Sequence, residues 1–301
     1  MTIDPEPRAR PTGARVWLMA ARPRTWSAAV ASVLVGTALA TADGRFRPGA
    51  AAAAFLGALL IQIGTNYAND YSDAMRGVDT ERVGPVRVTQ AGLVTVGQIR
   101  FATVLVFGLA ALCGVYLIAV AGWPILVVGL LSILAGIAYT GGPWPFGYHG
   151  LGDLFVFLFF GLAAVAGTYY VQALRVTPVA LLLAVPMGML STAILDVNNL
   201  RDADTDRRAG KMTLPARFGR GFGRSEYICL LAIAFALPVG LAAARVARPP
   251  VLLPLFALAL VPRLLRLVHR AEGLTEWNAA LAGTSRLTIV YALLLAVGLV
   301  L

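Results

Sequence analysis

Charge is scarce in this 301-residue chain. Asp, Glu, Lys and Arg make up 13% of it, lysine occurs once, at Lys211, and histidine and cysteine occur twice each. An ordinary soluble domain carries about 25% charged and about 45–50% apolar residues. Here 58% of residues are apolar and the mean hydropathy is +0.77. A water-soluble sphere could not hide that much apolar surface, so the solvent for most of the chain is lipid. This excludes a disordered protein, a secreted disulfide scaffold and a soluble nucleic-acid binder. Cys113 and Cys229 both sit in apolar runs and read as small core or lipid-facing residues. No short apolar core with a small-residue cleavage site precedes the first apolar run, so no signal peptide is expected.

What is abundant is apolar sequence of spanning length. About 20 residues carry a helix across the hydrocarbon core. Nine stretches qualify, near 25–42, 49–71, 99–120, 124–141, 151–172, 178–200, 226–245, 250–268 and 279–300. Helix stops separate them: Asp43-Gly44, Gly122-Trp123-Pro124, Gly141-Gly142-Pro143, Thr177-Pro178 and Pro249-Pro250. The absence of strand-like alternation excludes a β-barrel. The expected fold is an all-α integral membrane protein of nine transmembrane helices. Residues 1–20 are expected to be a flexible cytoplasmic lead, and 21–301 a single domain.

The net charge of +10 would suggest nucleic acid in a soluble protein. In a membrane chain it reports topology. With the N-terminus in the cytoplasm, 20 of the 25 Lys and Arg residues fall in cytoplasmic segments. A missed span would spoil that split.

The few acids are not scattered. Eight of the 15 fall in N66-YA-N69-D70-YS-D73-AMRGV-D79-T-E81 and D196-V-N198-N199-LR-D202-A-D204-T-D206-RRAGK. The first stretch closes the second span and the second closes the sixth, so both open toward the cytoplasm. At 100° per residue, Asn66, Asn69, Asp70 and Asp73 share one helix face. Asn199, Asp202 and Asp206 share another, Asp196 lies one step further along, and Asp204 points away.

Helix C-termini disfavour acids, because the dipole already places negative charge there. Carboxylates inside a span cost roughly 2.5–3.5 kcal/mol each and mark function. Two such clusters therefore imply a cation between them. The ligands are hard oxygens without His or Cys, which suits Mg²⁺ and not Zn²⁺. Magnesium so held completes its shell with water and phosphate oxygens. Arg76, Arg82 and Arg87 follow the first cluster, and Arg201, Arg207 and Lys211 surround the second. Carboxylates, Mg²⁺ and guanidinium groups together describe a diphosphate site.

These residues resemble the UbiA superfamily of intramembrane prenyltransferases. NDYSDAMRGVD is similar to its first aspartate-rich motif and NNLRDADTDRRAGKMTL to its second. ARPRTW at 21–26, DTERVGPVRVTQAG from Asp79 and YTGGPWPFGYHGLGDLFVFLFFGLAAVAGTYYVQ at 139–172 resemble the branch acting on 1,4-dihydroxy-2-naphthoate in menaquinone synthesis. One departure stands out: Gly77 occupies the place of the first motif's last aspartate, and Asp79 arrives two residues late.

The resemblance implies transfer of a polyprenyl group from its diphosphate to 1,4-dihydroxy-2-naphthoate. Carbon dioxide and diphosphate leave, and demethylmenaquinone forms. It implies two Mg²⁺ ions, one held by Asn69, Asp73 and Asp79 and one by Asp202 and Asp206, with Asp70 and Asn199 in support. Lys211, Arg82, Arg87 and Arg201 would bind the diphosphate. Tyr139, His149, Asp153, Asp196 and Arg286 are candidates for the acceptor. The site would face the cytoplasm from a multi-pass position in the inner cell membrane.

Two alternatives use the same residues. One is a related transferase with another acceptor, such as 4-hydroxybenzoate, homogentisate, a haem or a lipid-linked phosphate sugar. The other is a Mg²⁺ or organic-anion transporter, which polar residues throughout the bilayer would favour. His269 reads as interfacial, and Trp17, Trp26, Trp123, Trp144 and Trp277 as an aromatic belt.

Overall fold

Apolar runs bounded by Gly, Pro and Thr fold into long helices in the computed structural model, which describes residues 12–76 and 87–301. We number the main helices α1 (Ala14–Ala42, broken at Arg22), α2 (Pro48–Arg76), α3 (Val96–Ala121), α4 (Trp123–Ala138), α5 (Gly152–Ala173), α6 (Pro178–Arg208), α7 (Arg220–Ala243), α8 (Pro249–Arg270) and α9 (Leu274–Val300). No strand occurs among the described residues.

Eight of these helices are long and apolar enough to cross a membrane. The expected ninth span, α4, has 16 residues. At 1.5 Å per residue it covers about 24 Å, short of the ~30 Å hydrocarbon core. Residues 14–20, expected in a flexible lead, belong to a helix whose Val16, Ala20 and Ala21 are buried. They pack with Tyr67 and Val88 in a small apolar cluster.

The breaks lie where the sequence marks them. Gly122 adopts φ 83°, which separates α3 from α4 although only one residue intervenes. Thr177 caps α6 by accepting the Ala180 amide, with Pro178 at the first helical position. Thr95 and Gln98 form a capping box on α3. Arg22 takes φ 50° between two helical pieces of α1.

The main apolar core joins α1, α5, α6, α7, α8 and α9, with Leu183, Met187, Leu190, Leu287 and Leu295 at its centre. The tyrosine hydroxyls buried there are satisfied: Tyr291 donates to the Ala234 carbonyl at 2.6 Å, and Tyr227 and Thr284 bond at 2.8 Å. Trp277, expected in the aromatic belt, is instead buried in this core. Where α5 crosses α6, a Cβ added at Gly161 would lie 2.8 Å from the Gly188 Cα and 2.9 Å from the Ala184 carbonyl oxygen. Only a side chain without Cβ permits that approach. The crossing coincides with a π-helical stretch over Phe157–Ala163.

On the other side α2, α3 and α4 form a thinner layer. Val104, Leu112 and Leu130 there are exposed, as lipid-facing residues are. The layer is sealed to α5 at one end by Ala54, Leu117, Ile125 and Val171.

At that same end Tyr169 donates to Asp43, and Arg175 Nη2 reaches the same carboxylate at 3.0 Å. The Tyr169 hydroxyl, followed by Arg175, holds the Asp43 carboxyl below its usual value. A lowered carboxyl contributes stability in full above its unfolded value, roughly 3.9, and loses it as pH falls through the lowered folded value. Tyr169→Phe should cost about 1–2 kcal/mol in chemical unfolding in micelles. The gap in thermal midpoint between wild type and Asp43→Asn should be constant from about pH 5 to 8 and close below about pH 4.

Candidate active site

The C-terminal halves of α2 and α6 run deeper into charge than the apolar spans suggested, to Arg76 and Arg208. Both acidic stretches are therefore helical where described, the second as far as Arg208. Each presents its expected face: Asn66, Asn69, Asp70 and Asp73 are buried on α2, as are Asn199, Asp202 and Asp206 on α6. Asp204 points outward and pairs with Arg220 at 2.9 Å.

Asn66 and Asn69 from the first face and Asn199 and Asp202 from the second line one cavity of about 490 Å³, which is lined by residues of α1 to α6 and by Arg87 and Lys211, while Asp70, Asp73 and Asp206 are buried outside its lining. Its polar mouth includes Asn66, Asn69, Asn198, Asn199, Arg201 and Asp202. Its deeper wall is apolar, with Ala54, Ile61, Leu117 and Ile118 from α2 and α3, Ile125 from α4, and Phe159 and Phe160 from α5.

Among the described residues, Asp202 at the mouth and Asp70, Asp73 and Asp206 close to it are each paired with a cation. Arg87 Nη1 lies 2.7 Å from Asp70 Oδ1, and its other terminal nitrogen pairs with Asp73. Arg22 reaches Asp70 as well. Arg201 grips Asp202 with two parallel bonds of 2.7 and 2.8 Å. Lys211 Nζ stands 3.4 Å from Asp206. The remaining Arg201 nitrogen, Nη1, is buried, with no hydrogen-bond partner among the described residues.

Neutral groups fix the rest. Thr140 donates to Asn69 Oδ1 at 2.8 Å, and Tyr148 donates to Asp73 Oδ1 at 3.4 Å. Asn66 donates to the Ala21 carbonyl and Gln62 to Thr25, which locks α2 to the break in α1. The Met212 amide donates to the Tyr148 carbonyl and so ties the Lys211 segment to the 146–149 turn.

Not all expected residues arrive. Asp79 and Arg82 lie outside the described residues. Tyr139 lines the cavity, where its ring meets Phe146 edge-on and Phe146 stacks on Phe155. His149 is exposed and stacks on Trp144, 4.5 Å between ring centres. Arg286 is exposed on α9. Asp153 and Asp196 are buried but, like His149 and Arg286, do not line the cavity. Of the five residues expected at the acceptor, only Tyr139 therefore lines this cavity. Arg22, counted in the sequence only among the cytoplasmic arginines, does line it, as do Thr25 and Thr140. The proline after Arg22 was the available signal, since it ends the first helical piece and turns the arginine toward α2.

The donor set suits Mg²⁺. Each helix offers carboxylate and amide oxygens, without sulfur or imidazole. Among the described residues no three of His, Cys, Asp and Glu converge closely enough to hold a metal unaided. An ion here would complete its shell from amides, water or substrate oxygens, the usual habit of magnesium.

The UbiA prenyltransferase family matches residues 29–288. The chain belongs to this family. A 1,4-dihydroxy-2-naphthoate octaprenyltransferase of Escherichia coli (strain K12) is 43% identical over 224 residues, 72% of this chain and 73% of its own. One of Mycobacterium tuberculosis (strain ATCC 25618 / H37Rv) is 41% identical over 280 residues, 93% and 95% of the two chains. Among solved structures, a UbiA homolog from Archaeoglobus fulgidus bound to GPP and Mg²⁺ shares the fold at a TM-score of 0.64 and 17% identity, over 93% of this chain and 99% of its own. The apo UbiA homolog from Aeropyrum pernix K1 gives 0.67 at 14% identity, over 90% and 96%.

Arg87 is a buried cation between two buried carboxylates, so removing it takes away a cationic partner from both Asp70 and Asp73. Arg87→Met should cost about 3 kcal/mol in chemical unfolding. Asp70→Asn should cost less in that background than alone, the mark of residues sharing one network.

Proposed function

We propose that the chain transfers a polyprenyl group from its diphosphate to 1,4-dihydroxy-2-naphthoate, releasing diphosphate and CO₂. The product is demethylmenaquinone at the level of its quinol. The observation that carries this reading is a cavity that joins an acidic and basic mouth to an apolar interior. Its shape matches a substrate with a diphosphate head and a hydrocarbon tail. The acceptor is supported by relatives at 43% and 41% identity, both named for 1,4-dihydroxy-2-naphthoate.

In this reading Asn69, Asp73 and Asp79 hold one Mg²⁺ and Asp202 and Asp206 a second, with Asp70 and Asn199 in support. Bound there, magnesium supplies Lewis-acid stabilisation to the departing diphosphate. Arg22, Arg87, Arg201, Lys211 and, beyond the described residues, Arg82 bind the remaining phosphate oxygens. Arg201 is suited to this, because two of its nitrogens hold Asp202 while Nη1 is left to donate.

The allylic C1–O bond breaks and a ring carbon of the electron-rich acceptor forms the new C–C bond. The carboxylate leaves as CO₂, and its bonding pair restores the aromatic ring. Tyr139, Phe146 and Phe155 offer ring faces and edges on which a flat naphthoate can stack. Phe159 and Phe160 extend the apolar wall that keeps water from the cation. The isoprenoid tail lies along α2, α3 and α4, beside the thin lipid-facing layer. The arginine asymmetry supports a mouth at the cytoplasmic leaflet.

The purified chain in nanodiscs, given a labelled polyprenyl diphosphate and Mg²⁺, should convert 1,4-dihydroxy-2-naphthoate and leave 4-hydroxybenzoate and homogentisate unreacted. Chelation should abolish turnover and added Mg²⁺ restore it. Asp73→Ala and Asp206→Ala should each lower kcat by about 100-fold or more, since several kcal/mol of charge stabilisation are lost. Full turnover in both variants would refute the metal assignment, and preference for another acceptor would refute the acceptor.

A further inference from the structure

A second cavity, of about 300 Å³, lies between α7 and α8, away from the prenyl site. Arg224, Arg266, His269 and Arg270 supply its polar wall, and Ile228 and Leu265 belong to its apolar side. It sits at the same end of the bundle as the active-site mouth. Arg220, one turn before Arg224 on α7, donates to the Leu200 carbonyl of α6, and Arg224 donates to the Val268 carbonyl of α8 at 3.2 Å.

We propose that this cavity binds the phosphate headgroup of an anionic phospholipid, with the lipid's apolar part against Ile228 and Leu265. Three observations carry the assignment. First, the cations converge around a concavity. The rule that puts arginines on the cytoplasmic side explains their number but not this arrangement. Second, no carboxylate among the described residues pairs with Arg224, Arg266 or Arg270, whereas the cations at the active-site mouth are all engaged by acids. Third, the last turns of α8 are amphipathic. Leu264 and Val268 are buried while Arg263, Arg266 and Arg270 are exposed, and those three arginines lie within about 60° of one another on the helix. Ile228 is exposed on the outward side of α7, so cationic and apolar surface adjoin in the order that a headgroup and its acyl chain require. Basic hollows between helices at the cytoplasmic face recognise anionic headgroups in this way.

The experiment is thermal unfolding of the full chain in a neutral detergent. Dioleoylphosphatidylglycerol, dioleoylphosphatidylcholine or inorganic phosphate is titrated in separate arms. Wild type should be stabilised saturably by the glycerol lipid and much less by the other two. Arg266→Gln/Arg270→Gln should need roughly tenfold more of that lipid for half its effect. Arg45→Gln/Arg248→Gln, the same charge loss at the opposite end, should behave as wild type. Neither pair belongs to the prenyl site, so both should keep prenyl transfer. The proposal is overturned if inorganic phosphate stabilises as well as the lipid, if both double variants respond alike, or if the glycerol lipid has no saturable effect.

Discussion

Burying carboxylates in a lipid-embedded bundle is tolerable only if cations meet them, and that requirement organises the near end of this protein. Asp70, Asp73, Asp202 and Asp206 cannot sit among apolar helices as bare charges. Each therefore draws a cationic side chain from a different part of the chain: the break in α1, the segment at residue 87, α6 itself and the segment at 211. The break at Arg22, the Thr140 bond to Asn69 and the Met212 link to Tyr148 all brace this charge cluster. The cations that make the acids affordable in the fold are also the ones a diphosphate would attract.

The two halves of the bundle serve different ends. The half built on α1 and α5–α9 is densely packed, with close crossings such as Gly161 on Gly188, and gives α6 a rigid seat. The half built on α2–α4 is one layer thick against lipid, and the cavity opens between the halves. The π-helical stretch of α5 faces this division. Its extra residue per turn shifts the register of the side chains that follow, and Phe159, Phe160 and Ala163 from that stretch line the cavity.

How much of this was legible in the sequence varies from residue to residue. The order of the apolar helices was, because apolar run length and Gly/Pro punctuation are local signals, although one expected span is a helix of only 16 residues. So was the face shared by Asn69, Asp70 and Asp73, because 100° per residue is a property of one helix alone. Helix ends were less legible. Charged residues read as loop, yet α2 and α6 continue through them, since paired charges can be helical at a membrane surface. Asp196 shows the limit: it stands about 120° round the helix from Asp202, and spacing cannot say which neighbour that direction meets. In the fold it faces away from the cavity. Asp153, in the first turn of α5, and His149, in the turn before it, likewise lie outside the cavity lining, because tertiary packing decides what they meet. Arg22 was missed because an arginine at a span start satisfies topology without further explanation.

An amphiphile can enter such a cavity in only one sense. Its charged head needs the arginines and amides of the mouth, and its tail needs the apolar depth that ends at Ala54, Leu117 and Val171. At the far end, Asp43, Tyr169 and Arg175 are engaged with one another. Polarity therefore changes along the cavity from the charged end to the closed end, in parallel with the change across the leaflet outside. A membrane-dissolved prenyl diphosphate meets the mouth with its head already at the right depth. Much of the orientation that a soluble enzyme must impose by binding is thus supplied by the bilayer before the substrate arrives.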